Sequence, residues 1–172
     1  MKKQNKLITF ATLAIGGFIL DMGTKLWAQK ALVAEYINPA EQSPFSLNLT
    51  LAMNKGSAFG MFTGIPGARW ILTAIGIGAL FFIYYLYKRP ETKSRLYLIG
   101  LGILTGGALG NLVDRIIFGH VTDFIQFWGF PSVDILWPWP TFNVADVLLL
   151  VGVGLMFIYT LFFAESEKNE KK

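Results

Sequence analysis

The sequence predicts an all-α membrane protein: four transmembrane helices that carry a small extracytoplasmic β-sheet and an outer loop rich in aromatic residues. Three observations predict it. Of the 172 residues, 53% are hydrophobic and 15% charged, with a mean hydropathy of +0.50, whereas soluble domains have about a quarter of their residues charged. Four apolar segments, about 7–28, 67–87, 96–117 and 142–163, each reach the roughly 20 helical residues that cross a hydrocarbon core of about 30 Å. The basic residues also sort by side. Lys2, Lys3 and Lys6 precede the first segment, Lys88, Arg89, Lys93 and Arg95 join the second to the third, and Lys168, Lys171 and Lys172 follow the fourth. The opposite loops hold Lys55, with Lys30 and Arg69 at their borders. By the positive-inside rule both termini are cytoplasmic.

The first segment also has features of a cleaved signal peptide, since Lys2 and Lys3 precede an apolar run from Leu7 to Leu20. No A-x-A site follows, and a charged helical turn continues the segment. A retained helix is expected, opening a single domain over 1–164, with 165–172 as a disordered, charged cytoplasmic tail.

Helix one ends in Asp21-Met22-Gly23-Thr24-Lys25 and leads into a loop of about 35 residues. Within that loop, Phe45-Ser46-Leu47-Asn48-Leu49-Thr50-Leu51 alternates apolar and polar residues, the period of a strand with one face buried. The turn-rich stretch Asn54-Lys55-Gly56-Ser57-Ala58-Phe59-Gly60 follows. Helix two has no charge between Arg69 and Lys88 and reads as packing scaffold. Helix three carries Gly102, Gly106 and Gly110 at spacing four, a stripe that admits another backbone closely. The stripe fits an intramolecular contact or a dimer, and a monomer is expected. The second outer loop, about 119–141, crowds Phe127, Trp128, Phe130, Trp137 and Trp139 among Pro131, Pro138 and Pro140. Such rings settle at headgroup level or gate a lipid-facing substrate.

Without cysteine there is no disulfide framework, Cys-zinc site or thiol nucleophile. The basic residues flank membrane segments and are explained by orientation and by contact with membrane lipids, so they give no nucleic-acid signal.

The acids converge on one depth. At 1.5 Å per residue, Asp21 lies roughly 21 Å and Asp114 roughly 27 Å above the inner edge, and Asp146 roughly 7 Å below the outer edge. Asp123 follows the outer end of helix three. Intramembrane acids also suit a small transporter or channel, but the inner half of the bundle carries no ionisable side chain above its rim. Asp21 with Lys25, and Asn111 with Arg115, are four apart and suit clamps on one helical face. Together with Asp114 these groups serve either the helix ends or the orientation of the acids and a substrate backbone.

Neither Asp123 nor Asp146 has a basic residue three or four positions away on its own helix. Two carboxylates a few ångströms apart share a proton, so one can act as base on a water while the other hydrogen-bonds the carbonyl under attack. Asp146, near the positive end of helix four, is the expected base. A lone loop histidine such as His120 reads as a surface or hydrogen-bonding residue. A metal site of Asp114, Asp123, Asp146 and His120 is the third alternative, and no metal or other cofactor is expected.

Five motifs in order resemble the lipoprotein signal peptidase family, the signal peptidase II group of bacterial membrane aspartic peptidases: Asp21-x-x-Thr24-Lys25, Asn54-x-Gly56-x-Ala58-Phe59, Asn111-x-x-Asp114-Arg115, Val121-x-Asp123-Phe124 and Phe142-Asn143-x-Ala145-Asp146. The resemblance spans nearly the whole chain. It implies a catalytic dyad of Asp123 and Asp146, supported by Asp21, Lys25, Asn54, Gly56, Asn111, Arg115, Asn143 and Ala145. The reaction implied is hydrolysis of the bond before a diacylglyceryl-modified cysteine in a prolipoprotein, at the outer face of the bacterial plasma (inner) membrane. Asp134 and the Trp-Pro cluster match no motif.

Overall fold

The computed structural model describes residues 3–35, 37–56, 65–133 and 137–164. Along them run α1 (Lys3–Ala31), β1 (Ser46–Asn54), α2 (Ala68–Tyr87), α3 (Arg95–Ile117), β2 (Val121–Trp128) and α4 (Val144–Phe162). All four helices are long and apolar enough to cross a membrane. α2 and α3 lie within a residue of the expected bounds. α1 starts earlier than expected, where Lys6 Nζ donates to the Tyr87 carbonyl at 2.8 Å and lies 4.1 Å from that ring's centroid. α4 starts later, at Val144, because Phe142 pairs as an isolated bridge with Ile125. The expected disordered tail, Asp134 and the stretch from Ser57 to Gly60 lie outside the described residues.

The chain forms two compact units. The first comprises Met1–Asp21, Ile75–Leu112 and Val144–Lys172. Its packing is organised by glycines of α3, the most buried of the four helices. Gly102 and Gly106 admit α1: a methyl group on Gly102 would lie 2.9 Å from Leu13 Cβ, and one on Gly106 2.9 Å from the Ala14 carbonyl. Gly100 and Gly107 turn toward α4, where added methyl groups would lie 2.8 Å and 2.6 Å from the carbonyls of Gly152 and Ala145. Small residues at these positions let helix backbones approach closely, which is how packing holds where the solvent is as apolar as the side chains. Ile83, Tyr97, Leu101 and Tyr159 fill a buried cluster, with the two tyrosine rings edge to face at 5.5 Å. Ile15, Ile19, Phe81, Phe82, Leu150 and Phe157 stay exposed. Such faces are a liability in water but suit lipid.

The second unit comprises Met22–Ala74 and Val113–Asn143. Here β1 and β2 pair antiparallel. The partner strand β2 occupies part of what the sequence presents as an aromatic loop. β1 keeps the expected alternation, but its orientation is inverted: Leu47, Leu49 and Met53 are exposed while Thr50 is buried. Its polar side turns inward because the hydrogen-bond partners are there, Gln42 for Asn48 and Asp123 for Asn54.

Opposite β2, the pairing steps from Leu49↔Ile125 to Ala52↔Asp123, so Thr50 and Leu51 stand against Phe124 alone. This bulge frees backbone groups that must be satisfied elsewhere. The Leu51 N–H goes to the Val33 carbonyl at 3.2 Å, and the N–H groups of Phe124 and Ile125 go to the Phe142 carbonyl at 3.0 and 2.9 Å. A third chain segment is thereby fastened along β2.

Candidate active site

Asp123 is the third residue of β2 and is 1% exposed. A buried carboxylate is costly unless its oxygens are met by donors, and both are. Asn54 Nδ2 donates to Oδ2 at 2.9 Å, and Asn143 Nδ2 to Oδ1 at 2.6 Å. Local structure places each amide. Asn54 ends β1, and its own Oδ1 accepts the Gly56 N–H at 3.0 Å. Asn143 follows Phe142, whose bridge to Ile125 sets it beside β2. Gly56 is buried, and its carbonyl accepts from Arg115 Nη2 at 3.5 Å. Asp123 therefore belongs to a strand, not to the end of a membrane span.

Lys25 and Asp114 form an ion pair at 3.6 Å with both side chains fully buried. The same Asp114 oxygen accepts the Thr122 N–H at 2.7 Å, and Gln29 Nε2 donates to the Thr122 hydroxyl at 2.7 Å. Sequence spacing pairs Lys25 with Asp21. The structure also gives Lys25 a partner from α3, and through Thr122 that pair fixes the residue before Asp123. Thr122 and Gln29 carry no sequence signal of this role, since one bonds through its backbone and the other is an ordinary helix residue.

In the first unit, Asp146 lies in the first turn of α4 and accepts from Asn111 Nδ2 at 2.8 Å. Asn111 is therefore oriented toward α4. Asp21, fully buried, accepts the backbone N–H of Ala145 at 2.8 Å. The first N–H groups of a helix lack internal partners, and a carboxylate there also meets the positive end of the helix dipole. Asp21 thus caps α4 from another helix. Gly110 makes room for it: a methyl group there would fall on the Asp21 carboxylate. Ala145, fully buried, contributes its backbone rather than its side chain.

Each predicted site residue therefore has a place. In the second unit Asn54 and Asn143 hold Asp123, Gly56 links Asn54 to Arg115, and Lys25 holds Asp114. In the first, Asn111 serves Asp146 and Asp21 serves Ala145. His120 packs its ring beside Phe118. Among the described residues no three His, Asp or Glu side chains gather as metal ligands. Carboxylates oriented by neutral amides are suited to proton transfer, because an amide fixes position without supplying a countercharge.

The family model for Signal peptidase (SPase) II matches residues 13–162. A lipoprotein signal peptidase of Burkholderia thailandensis is 46% identical over 139 residues, covering 80% of this chain and 78% of that protein. A lipoprotein signal peptidase of a Sulfurihydrogenibium species is 35% identical over 163 residues, covering 93% and 95%. A bacterial membrane enzyme solved by the in meso method at 2.3 Å resolution superposes with a TM-score of 0.68 at 28% identity, covering 99% of this chain and 93% of that one. The fold and these similarities thus define a multi-pass membrane peptidase. The chain belongs to the signal peptidase II family, which lends no support to the transporter alternative.

Proposed function

We propose that this protein is an aspartic endopeptidase that removes the signal peptide from diacylglyceryl-modified prolipoproteins, cutting before the lipidated cysteine, with Asp123 and Asp146 as its catalytic pair. The observation that carries this reading is that each aspartate is oriented by side-chain amides, Asn54 and Asn143 for one and Asn111 for the other. The similarity to lipoprotein signal peptidases supports the substrate class.

In this mechanism one carboxylate draws a proton from a water as its oxygen attacks the scissile carbonyl. The protonated partner hydrogen-bonds the carbonyl oxygen where negative charge develops. The tetrahedral intermediate collapses as the leaving amine takes a proton, giving the signal-peptide carboxylate and the free amine of the lipidated cysteine. Asp146, at the start of α4, is assigned as the base. No metal or cofactor enters the scheme. The enzyme acts as a monomer, the stripe of Gly102 and Gly106 being filled by α1 of the same chain. It resides in the bacterial plasma membrane with both termini cytoplasmic and its site near the extracytoplasmic face, where the substrate's acyl chains remain in lipid.

Purified protein given lipidated and unlipidated forms of one precursor tests the reading. Cleavage confined to the lipidated form, with the modified cysteine as the new N-terminus and no loss of rate in EDTA, is expected. Equal cutting of both forms, or activity lost to EDTA and restored by metal, overturns it.

A further inference from the structure

Arg69 stands at the start of α2, away from every motif, yet its guanidinium is committed to a second helix. Nε donates to the Arg115 carbonyl at 3.0 Å and Nη2 to the Ile116 carbonyl at 2.6 Å. These belong to the last residues of α3, whose final carbonyls have no helical donor. The Arg115 carbonyl also accepts the Gly119 N–H at 3.2 Å. Gly119 has φ +80°, the left-handed conformation that terminates helices and is strained for residues with a Cβ. An added methyl group there would sit 3.2 Å from Arg69 Nη1. Arginine and glycine together close the end of α3 at the point where the chain turns into β2.

Two routes lead from this cap to Asp123. One is the backbone: three residues, His120, Val121 and Thr122, separate Gly119 from Asp123 along the turn and the start of β2. The other runs through side chains. Arg115, whose carbonyl Arg69 holds, reaches the Gly56 carbonyl, the Gly56 N–H bonds Asn54 Oδ1, and Asn54 bonds Asp123. A fray at the end of α3 releases both routes together. The geometry points to Arg69 as a positioning residue for the reaction, one that fixes Asp123 through the cap of α3 without touching substrate. The inference rests on Asp123 being a catalytic carboxylate.

The test uses the full chain in detergent with a lipidated precursor, comparing wild type with Arg69→Ala, Arg69→Lys, Gly119→Ala, Asn54→Ala and Asp123→Asn, rates being taken per folded molecule. A misplacement of about 1 Å costs on the order of a hundredfold in rate. Arg69→Ala is therefore expected to lower kcat roughly tenfold to a hundredfold with KM nearly unchanged. Arg69→Lys, which keeps one donor head, should recover part of the loss, and Gly119→Ala should reproduce it. The combined Arg69→Ala and Asn54→Ala losses should fall short of their product, because both act on one carboxylate. If Arg69→Ala does not fold, Arg69→Lys and Gly119→Ala decide by the same kcat and KM criteria. Near-normal kcat per folded molecule, or fully multiplicative losses, overturns the inference. A normal rate in Asp123→Asn overturns the catalytic assignment instead, whereas an inactive Asp123→Asn beside a normal Arg69→Ala removes the role of Arg69 alone.

Discussion

The carboxylate of Asp21 accepts the backbone N–H of Ala145 at 2.8 Å across 124 positions of sequence. One side chain of the first helix thereby secures the beginning of the last. Asp146 stands one residue further on, so its placement depends on a cap that another helix supplies. Asp21→Ala is expected to lower stability by about 1 kcal/mol, the usual value of a helix cap, and to lower kcat as well. Thermal unfolding and cleavage measured together separate the two effects.

Asp123→Asn and Asp146→Asn should each reduce turnover by about three orders of magnitude, the middle of the range for loss of general acid–base catalysis, while substrate still binds. Single-turnover cleavage and binding of a lipidated precursor provide the measurement. A rate near wild type in either variant removes that residue from the mechanism.

Gly110→Ala should be among the most damaging methyl additions in α3, because the new group falls on the Asp21 carboxylate. Overpacking of this kind costs about 1–3 kcal/mol. Gly16 and Gly78 have open space around the corresponding position, so Gly16→Ala and Gly78→Ala should be neutral or slightly stabilising. Melting temperatures of the three variants in one detergent test the ranking.

Lys25→Met leaves Asp114 buried without its cation, which costs about 3–5 kcal/mol. Adding Asp114→Asn removes the stranded charge and keeps an acceptor for the Thr122 N–H, so the double variant should be more stable than Lys25→Met alone. If the second substitution restores nothing, the ion pair does not account for the loss.

Much of the fold was legible because hydropathy is additive along a helix. Spans two and three were placed within a residue, and the stripe of Gly102, Gly106 and Gly110 announced a close helix contact. The second set, Gly100 and Gly107 facing α4, was not read, because its meaning depends on which helix lies opposite. β2 was missed for a related reason. Val121, Thr122, Asp123 and Phe124 are all buried, so the strand shows no alternation of polar and apolar residues. In the site, residue types and order single out Asp123 and Asp146 as candidates, whereas partners supplied by distant elements do not show in the sequence. Asp114 as a partner of Lys25 is not readable from spacing, because α3 brings it there by tertiary packing. Arg69 read as a border charge because the carbonyls it caps are contributed by a helix far along the chain.

The extra residue in β1 has a consequence for how this protein can change length. Side chains of a strand point to alternate sides, so Thr50 and Leu51 set the parity of everything up to Asn54. Deleting either one would carry the Asn54 amide to the opposite side and leave Asp123 Oδ2 without that donor, though the composition of the strand would hardly differ. Insertions between Ala31 and Ser46 leave this phase untouched. The same small number of added or lost residues is thus absorbed on one side of Leu49 and disabling on the other.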